Sequence, residues 1–520
     1  MGCRVVLALL LTFSGTSEGF VTGLRPHVSL FRETRAGYGR HEMQRIDASR
    51  RSTRVALGMM STAARRMEVL KEAIKAVAVG VSGSKPVPEE IVKPIIQAIT
   101  ELDRPSADVE AFERLASFLG TLFVKHEITE TDKQILSVVS KKRPKLKDVG
   151  LVRAGCSAGQ ILSLAGGDNA TEEARNLALK LLCGETLSES DAYRLGKRIF
   201  DLQEPSSVLS LCAQILRVRY ETTDEWRGLL KAQQETVRMS CFDPRVVQEA
   251  YQRGQEAGSK PRIVVQLAEP FDGMERGELL TPLLAQHFQR KYNTVVISQC
   301  GRSSGPKYGQ NLLDIAQCMN ALSTPFVHSN ADIVEDIEVG ESGIDPPEFG
   351  WYVDQREVSL ELDAWVDLRR NIIKRPFLAT TEKFVDTCAA TVLIASAFHP
   401  SYGEKMMYCA ESATNFKGCM IVRKGLEGSL GFGLGRSTEV LCGARKQDGT
   451  FERMTYKFNA ADIGWEKGND SMGGVEAKET AGNIKSFSLE GSSGDPYFDK
   501  RVILTRAGLD VGMTWLMERM

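Results

Sequence analysis

The sequence predicts an α/β fold: a small helical bundle domain, a larger α/β domain with a mostly parallel central sheet, and an extra helical region ahead of both. Two observations carry this. From about residue 60 to 237 apolar residues recur at helical spacing, and no stretch alternates convincingly as a strand. Beyond the break at Gly254–Pro261, short β-branched runs are separated by helical stretches, the pattern of parallel strands joined by crossover helices. With 520 residues, 42% hydrophobic and 26% charged, the chain has the composition of a globular protein of two or three domains.

The first 58 residues stand apart. Arg4 precedes the apolar run Val5–Phe13, too short to span a bilayer, and small polar residues lead on to Gly19-Phe20, so residues 1–19 read as a signal peptide. Residues 20–59 hold eight arginines against three acids, with several Ser and Thr, which is transit-peptide composition. Together they resemble the bipartite leader of algae with complex plastids and predict a plastid protein; secretion with a basic linker is the alternative. Removing residues 1–58 leaves 57 basic and 63 acidic residues, a net charge of −6. No overall field then favours nucleic acid, and polyanion contact would need a local patch. Eleven cysteines and six histidines are scattered without metal-ligand or disulfide spacing, which fits reduced thiols.

The helical region at 60–165 opens with Met67–Val79, continues with a helix started by Pro86-Val87-Pro88-Glu89-Glu90, and includes a third over Val109–Val124. Lys141–Lys147 reads as a solvated linker. A bundle domain at 166–258 follows. Thr171 starts a helix whose Ala174, Leu177, Ala178, Leu181 and Leu182 share a face, and Gly184 stops it. Ser188–Asp191 and Thr222–Glu225 are capping-box starts, and Pro205 opens the helix between them. Four short antiparallel helices are the simplest packing.

In the α/β domain at 259–520, the strand candidates are Arg262–Leu267, Thr294–Ile297, Thr391–Ala395 and Cys419–Val422. Three loops after them could hold phosphate, because glycines allow close backbone approach and a helix N-terminus presents free N–H groups. The first, Glu269–Gly277, carries Asp272 and Gly273 and leads to a helix opened by Thr281-Pro282; its acids suit a metal-bridged phosphate or a hydroxyl. The second, Ser298–Gly309, offers Gly301, Arg302, Ser303 and Lys307 before a helix at Leu312–Ala321, and is the best anion cradle of the three. The third, Lys424–Gly435, has a single carboxylate, Glu427, which suits a metal or a ribose hydroxyl and equally a salt-bridged glutamate. His399 follows a strand, but a lone histidine is more often structural. No Ser/His/Asp arrangement is present.

These loops, in this order after this helical set, resemble the anthranilate phosphoribosyltransferase superfamily from about Gly167 onward. LALKLLCGETLSESDAYRLGKRI looks like its N-terminal helix pair, MTYKFNAADIGW like a late strand and turn, and FDKRVILTRAGLDVGMTW like its last helix. The segments FDGMERG, GPKYG, RPFLATTEK and VRKGLEGS together are similar to a divergent branch of bacteria and cyanobacteria. Pro270-Phe271-Asp272-Gly273 stands where the authentic enzyme has GTGGD, Gln299-Cys300-Gly301-Arg302 where it has KHGNR, and Leu426-Glu427-Gly428 where it has an Asp-Glu pair for magnesium. Loss of one carboxylate weakens such a metal site without abolishing it.

The resemblance implies a pentosyltransferase that binds a phosphorylated ribose donor such as phosphoribosyl pyrophosphate between its helical and α/β domains, with an acceptor other than anthranilate open. It implies phosphate contacts from Asp272, Gly273, Gly301, Arg302, Ser303 and Lys307, a magnesium ion on Glu427, and Arg375, Thr380 and Glu382 on the acceptor side or the domain hinge. It also implies a homodimer through the helical domain. The alternative is a non-catalytic nucleic-acid- or nucleotide-binding protein of the same fold, with a basic groove of Lys307, Lys374, Arg375 and Lys383. No transmembrane segment is expected in the mature chain.

Overall fold

The computed structural model describes residues 61–80, 83–102, 108–269, 273–274, 277–302, 309–319, 325–338, 345–470 and 475–520. The two leader segments lie outside the described residues, as do Asp272, Ser303 and Lys307. Residues 62–520 pack as one unit.

Four helices, α1 (Thr62–Val77), α2 (Glu89–Glu101), α3 (Val109–Val124) and α4 (Glu130–Lys142), form the N-terminal extension. Beyond its first turn helix α3 is buried on nearly all sides and serves as a core helix, with Phe112, Leu115, Phe118, Leu119, Leu122 and Phe123 buried. At its end Lys125 forms a fully buried ion pair with Asp132, whose carboxylate also caps α4 through Thr129. Lys142, placed in a solvated linker from sequence, is the last residue of α4 and donates to the Ile99 carbonyl at 2.7 Å. A hairpin of two-residue strands, β1 (Val152–Arg153) and β2 (Cys156–Ser157), precedes α5 (Ala158–Leu164). Strands this short leave no alternation for a sequence to show.

The bundle helices are α6 (Glu172–Leu182), α7 (Glu189–Asp201), α8 (Ser206–Arg219) and α9 (Thr223–Gln234). Their starts follow the capping residues: Thr171, Ser188 and Thr222 accept from Ala174, Asp191 and Glu225 backbone N–H groups, and the Glu225 carboxylate accepts in return from the Thr222 N–H. Helices α7 and α9 cross closely at Gly228, where a Cβ would lie 2.2 Å from the Glu189 carbonyl. Helix α3 lies against α8, with Gly120 admitting Leu211, so extension and bundle share a core.

After α10 (Pro244–Glu256) come β3 (Val264–Ala268), α11 (Thr281–Tyr292), β4 (Val295–Cys300), α12 (Leu312–Cys318), α13 (Val334–Glu338) and β5 (Trp351–Asp354). Then follow α14 (Gln355–Val358), α15 (Leu360–Ile372), α16 (Leu378–Thr381), β6 (Val392–Ala397), α17 (Pro400–Ser412), β7 (Gly418–Arg423), β8 (Thr438–Arg445), β9 (Phe451–Phe458), α18 (Ala477–Glu490) and α19 (Pro496–Met517). The seven-stranded sheet runs β5-β4-β3-β6-β7-β8-β9. Its first five strands are parallel, in register Val264↔Val295, Val265↔Val392 and Val392↔Gly418, and the last two are antiparallel. Strands β3, β4 and β6 are buried throughout, as a sheet covered on both faces requires, whereas β9 alternates at the edge.

The four strand candidates are present as β3, β4, β6 and β7, the late strand implied by MTYKFNAADIGW falls in β9, and β5 and β8 of this sheet are additional. The chain leaves β3 toward β4 and β5 on one side and returns to β6 on the other, so a topological switch point lies between β3 and β6. Asp510 of α19 fastens the covering helices, accepting from His287 (2.8 Å), Lys291 (2.6 Å) and Tyr292 (2.9 Å) of α11. Among the described residues no helix is long and apolar enough to cross a membrane.

Candidate functional site

The third loop folds on itself before it meets anything else. The Leu426 N–H donates to the Gly431 carbonyl at 2.9 Å, and Gly428 sits at φ +88°, a conformation that favours glycine. A buried carboxylate at the end of β3, Glu269, then pins the loop by accepting from the Leu430 N–H at 2.6 Å and from the Thr281 hydroxyl at the start of α11. Burial pushes the Glu269 carboxyl up to about 7, against the lowering effect of those two donors and of Lys383.

Arg375 joins the first and third loops. Its guanidinium donates to the Gly273 carbonyl at 3.3 Å and lies 3.6 Å from the Glu427 carboxylate. A Cβ on Gly428 would lie 3.4 Å from that same Gly273 carbonyl, so the two loops touch. Lys383, buried, donates to the Ser396 carbonyl at the end of β6 at 2.5 Å. Arg375 and Lys383 flank α16, and that segment is fixed from behind by a fully buried ion pair between Glu382 and Arg369 of α15.

Arg375, Lys383 and Glu427 line a cavity of about 540 Å³ beyond the carboxyl ends of β6 and β7, next to the switch point. Arg217, Lys374, Arg375, Lys383 and His399 bring nitrogen to its wall, Thr380, Ser396, Ser401, Tyr220 and Tyr402 bring side-chain hydroxyls, and Glu427 is its sole acid among the described residues. Such a wall attracts an anion bearing hydroxyl groups. A larger groove of about 1400 Å³ lies at the opposite strand ends, by Ile263, Thr391 and Lys417. Strand polarity and convergent cations single out the smaller cavity.

Of the residues expected from sequence, Arg375, Thr380 and Glu427 stand on the cavity wall and Gly273 touches it through Arg375. Glu382 does not line it; it is buried behind it in the pair with Arg369. Gly301 and Arg302 lie elsewhere. Arg302 is held by both oxygens of Asp363 (2.8 and 3.0 Å), with Asp367 at 3.7 Å, because α15 presents these two acids one turn apart toward the loop. The Asp363 hydrogen bonds raise its pKa. Asp272, Ser303 and Lys307 lie outside the described residues. The sequence reading missed Arg217, Tyr220, Ser401 and Tyr402, which sit on helix ends far apart in the chain, and it set His399 aside although it stands where β6 meets α17. Arg217 and Tyr220 lie at the end of α8 and Ser401 and Tyr402 in the first turn of α17, and no motif in the chain links the two.

No family model matches the chain, and no curated protein matches it in sequence. Among solved structures it is similar to anthranilate phosphoribosyltransferase from Thermus thermophilus, at 13% identity and TM-score 0.42, over 66% of this chain and 97% of that one. It is also similar to the Ser121Ala variant of the Saccharomyces cerevisiae enzyme with Mg bound, at 14% identity and TM-score 0.47, over 65% and 88%. A third likeness is to the yeast enzyme in complex with PRPP and Mg, at 11% identity and TM-score 0.41, over 81% and 88%.

Proposed function

We propose that the chain is a phosphoribosyltransferase-like protein that binds a phosphorylated ribose donor such as phosphoribosyl pyrophosphate in the cavity beyond β6 and β7. One observation carries the reading: Arg375 bridges the first and third loops beside Glu427, and Lys383 lies across the same cavity at the strand ends. Pyrophosphate leaving the ribose anomeric carbon builds up negative charge. Fixed cations aimed at that position stabilise it without reorganising, and such preorganised electrostatics usually contribute most to lowering a barrier of this kind. Arg375 and Lys383 are assigned to the phosphates and Thr380 to the acceptor side.

Among the described residues no group of three or more His, Cys, Asp or Glu side chains could hold a metal ion. A single exposed carboxylate fits a magnesium ion that shares most of its ligands with substrate phosphates, and Glu427 is the residue that would hold it. When bound, the ion would spread the charge of the departing pyrophosphate. Because Arg375 lies 3.6 Å from Glu427, ligand phosphates would exchange Arg375 from carboxylate to phosphate as they enter.

Calorimetric titration with phosphoribosyl pyrophosphate, with and without magnesium, tests this; no heat at millimolar ligand sinks it. A second reading, a nucleotide- or nucleic-acid-binding protein without transfer chemistry, draws on Lys374, Arg375 and Lys383 sharing one cavity. Steep salt dependence of single-stranded DNA binding would favour it. Homodimerisation through the helical half and a plastid location remain part of the proposal, to be checked by sedimentation and by localisation of a full-length fusion.

A further inference from the structure

The cavity has a second cationic end that the donor reading leaves unused. Arg217, near the end of α8, and Lys374, just after α15, both line it, and among the described residues neither makes an ion pair. The N-terminal extension builds the wall beside them. The Arg217 guanidinium donates to the Ala78 carbonyl at 2.9 Å, just past the end of α1, and Val79, 44% exposed, faces the cavity. Gly80, at φ +114°, leaves room for the Tyr220 ring, whose hydroxyl would lie 2.7 Å from a Cβ at that position. Tyr220 itself is held at φ +64° and ψ 110°, a costly conformation for an aromatic residue and one concentrated at functional sites.

The charges around this end are unbalanced. Burial and then the nearby Arg217 and Lys75 lower the Lys374 pKa, and Glu72, the acid facing it, is already paired with Lys75 at 2.8 Å. Behind Arg217 lies Glu221, a fully buried carboxyl whose pKa desolvation raises, which weakens it as a counter-charge. Partly buried cations of like charge repel one another, and an anion settling between them relieves that cost.

We infer that Arg217 and Lys374, walled by Ala78–Gly80 of the N-terminal extension, form a second anion subsite that takes a phosphate or carboxylate group. The extension is thereby part of the ligand site as well as of the core. The subsite shares the cavity of the proposed function and does not depend on the transfer chemistry.

Pyridoxal phosphate is the probe, since it carries a phosphate for Arg217 and an aldehyde for Lys374. The neutral Lys374 amine adds to the aldehyde, water leaves as the C=N bond forms, and added borohydride delivers hydride to carbon while nitrogen takes a proton from water, leaving a stable secondary amine. Peptide mapping by mass spectrometry should find Lys374 labelled faster than the exposed Lys478, with inorganic pyrophosphate protecting it. Arg217→Ala should lower Lys374 labelling by about tenfold or more, the equivalent of one charge-assisted contact. Val79→Asp, at a position exposed enough to tolerate it, should lower labelling by repelling the phosphate and serves if Arg217→Ala fails to fold. Labelling of Lys374 no faster than Lys478, or unchanged by Val79→Asp, overturns the inference. Lys374 labelling as described without heat from phosphoribosyl pyrophosphate removes the donor reading and leaves the subsite standing; the converse result removes the subsite alone.

Discussion

The second and third loops have the same build in the chain, a buried parallel strand running into glycines, cations and a hydroxyl, yet they end in opposite roles. In the second, Arg302 is paired with Asp363 and Asp367 of α15 and does not line the cavity. The third brings Glu427 to the cavity wall opposite an arginine from another segment, Arg375, and is fixed in place by Glu269 from a third. Both arginines have a carboxylate beside them, and what separates them is that the fold sets Arg375 and Glu427 on the cavity wall and Arg302 with its acids off it. Loop composition does not decide that placement.

The largest effect should come from the supports behind the cavity. Glu382→Ala leaves Arg369 as a buried charge without its carboxylate and should cost about 3–5 kcal/mol, seen as a lower denaturant midpoint at unchanged slope. Next is Glu269. Its folded carboxyl, at about 7, lies above the unfolded value of about 4.3, so the native state holds its proton longer than the unfolded one. Stability from this group is fully present below the unfolded pKa, falls as pH rises through the window up to about 7, and is level above it. Glu269→Gln should flatten that dependence in denaturant titrations across the window, whereas Glu269→Ala should also lose about 1–3 kcal/mol by stranding the Leu430 N–H.

The direct comparison of the loops comes third. Arg375→Ala should weaken phosphoribosyl pyrophosphate binding by roughly tenfold to a hundredfold, or about 1.5–3 kcal/mol, in calorimetry. Arg302→Ala should leave that affinity unchanged and cost about 1 kcal/mol or less of stability, its pair with Asp363 being partly exposed. Equal losses of affinity in the two variants would break the distinction between the loops. Glu427→Gln should be the smallest of the set, changing the magnesium dependence of binding more than binding itself.

The strands β3, β4, β6 and β7 were legible because β-branched runs bounded by turn residues have few other uses, and the bundle helices because Thr171, Ser188 and Thr222 announce their starts. Strand β5 escaped because Trp351–Asp354 is short, and β8 because Thr438–Arg445 is a long run broken by Gly443 and pairs antiparallel where a parallel crossover was expected. The resemblance of RPFLATTEK puts Glu382 on the acceptor side or the domain hinge, whereas its side chain is buried in the pair with Arg369. On the short helical turn that carries Glu382 and Lys383 the two side chains point opposite ways, one to Arg369 and the other to the Ser396 carbonyl.

By itself the sequence determined the α/β class, the helical half ahead of it and the loops that could approach a phosphate, since periodicity, capping and glycine placement act over a few neighbouring residues. Only the tertiary structure decided which cations face the cavity. Arg302 meets Asp363 across 61 residues, Arg375 meets Gly273 across 102 and Arg217 meets Ala78 across 139, and contacts at such separations leave no local pattern in the chain.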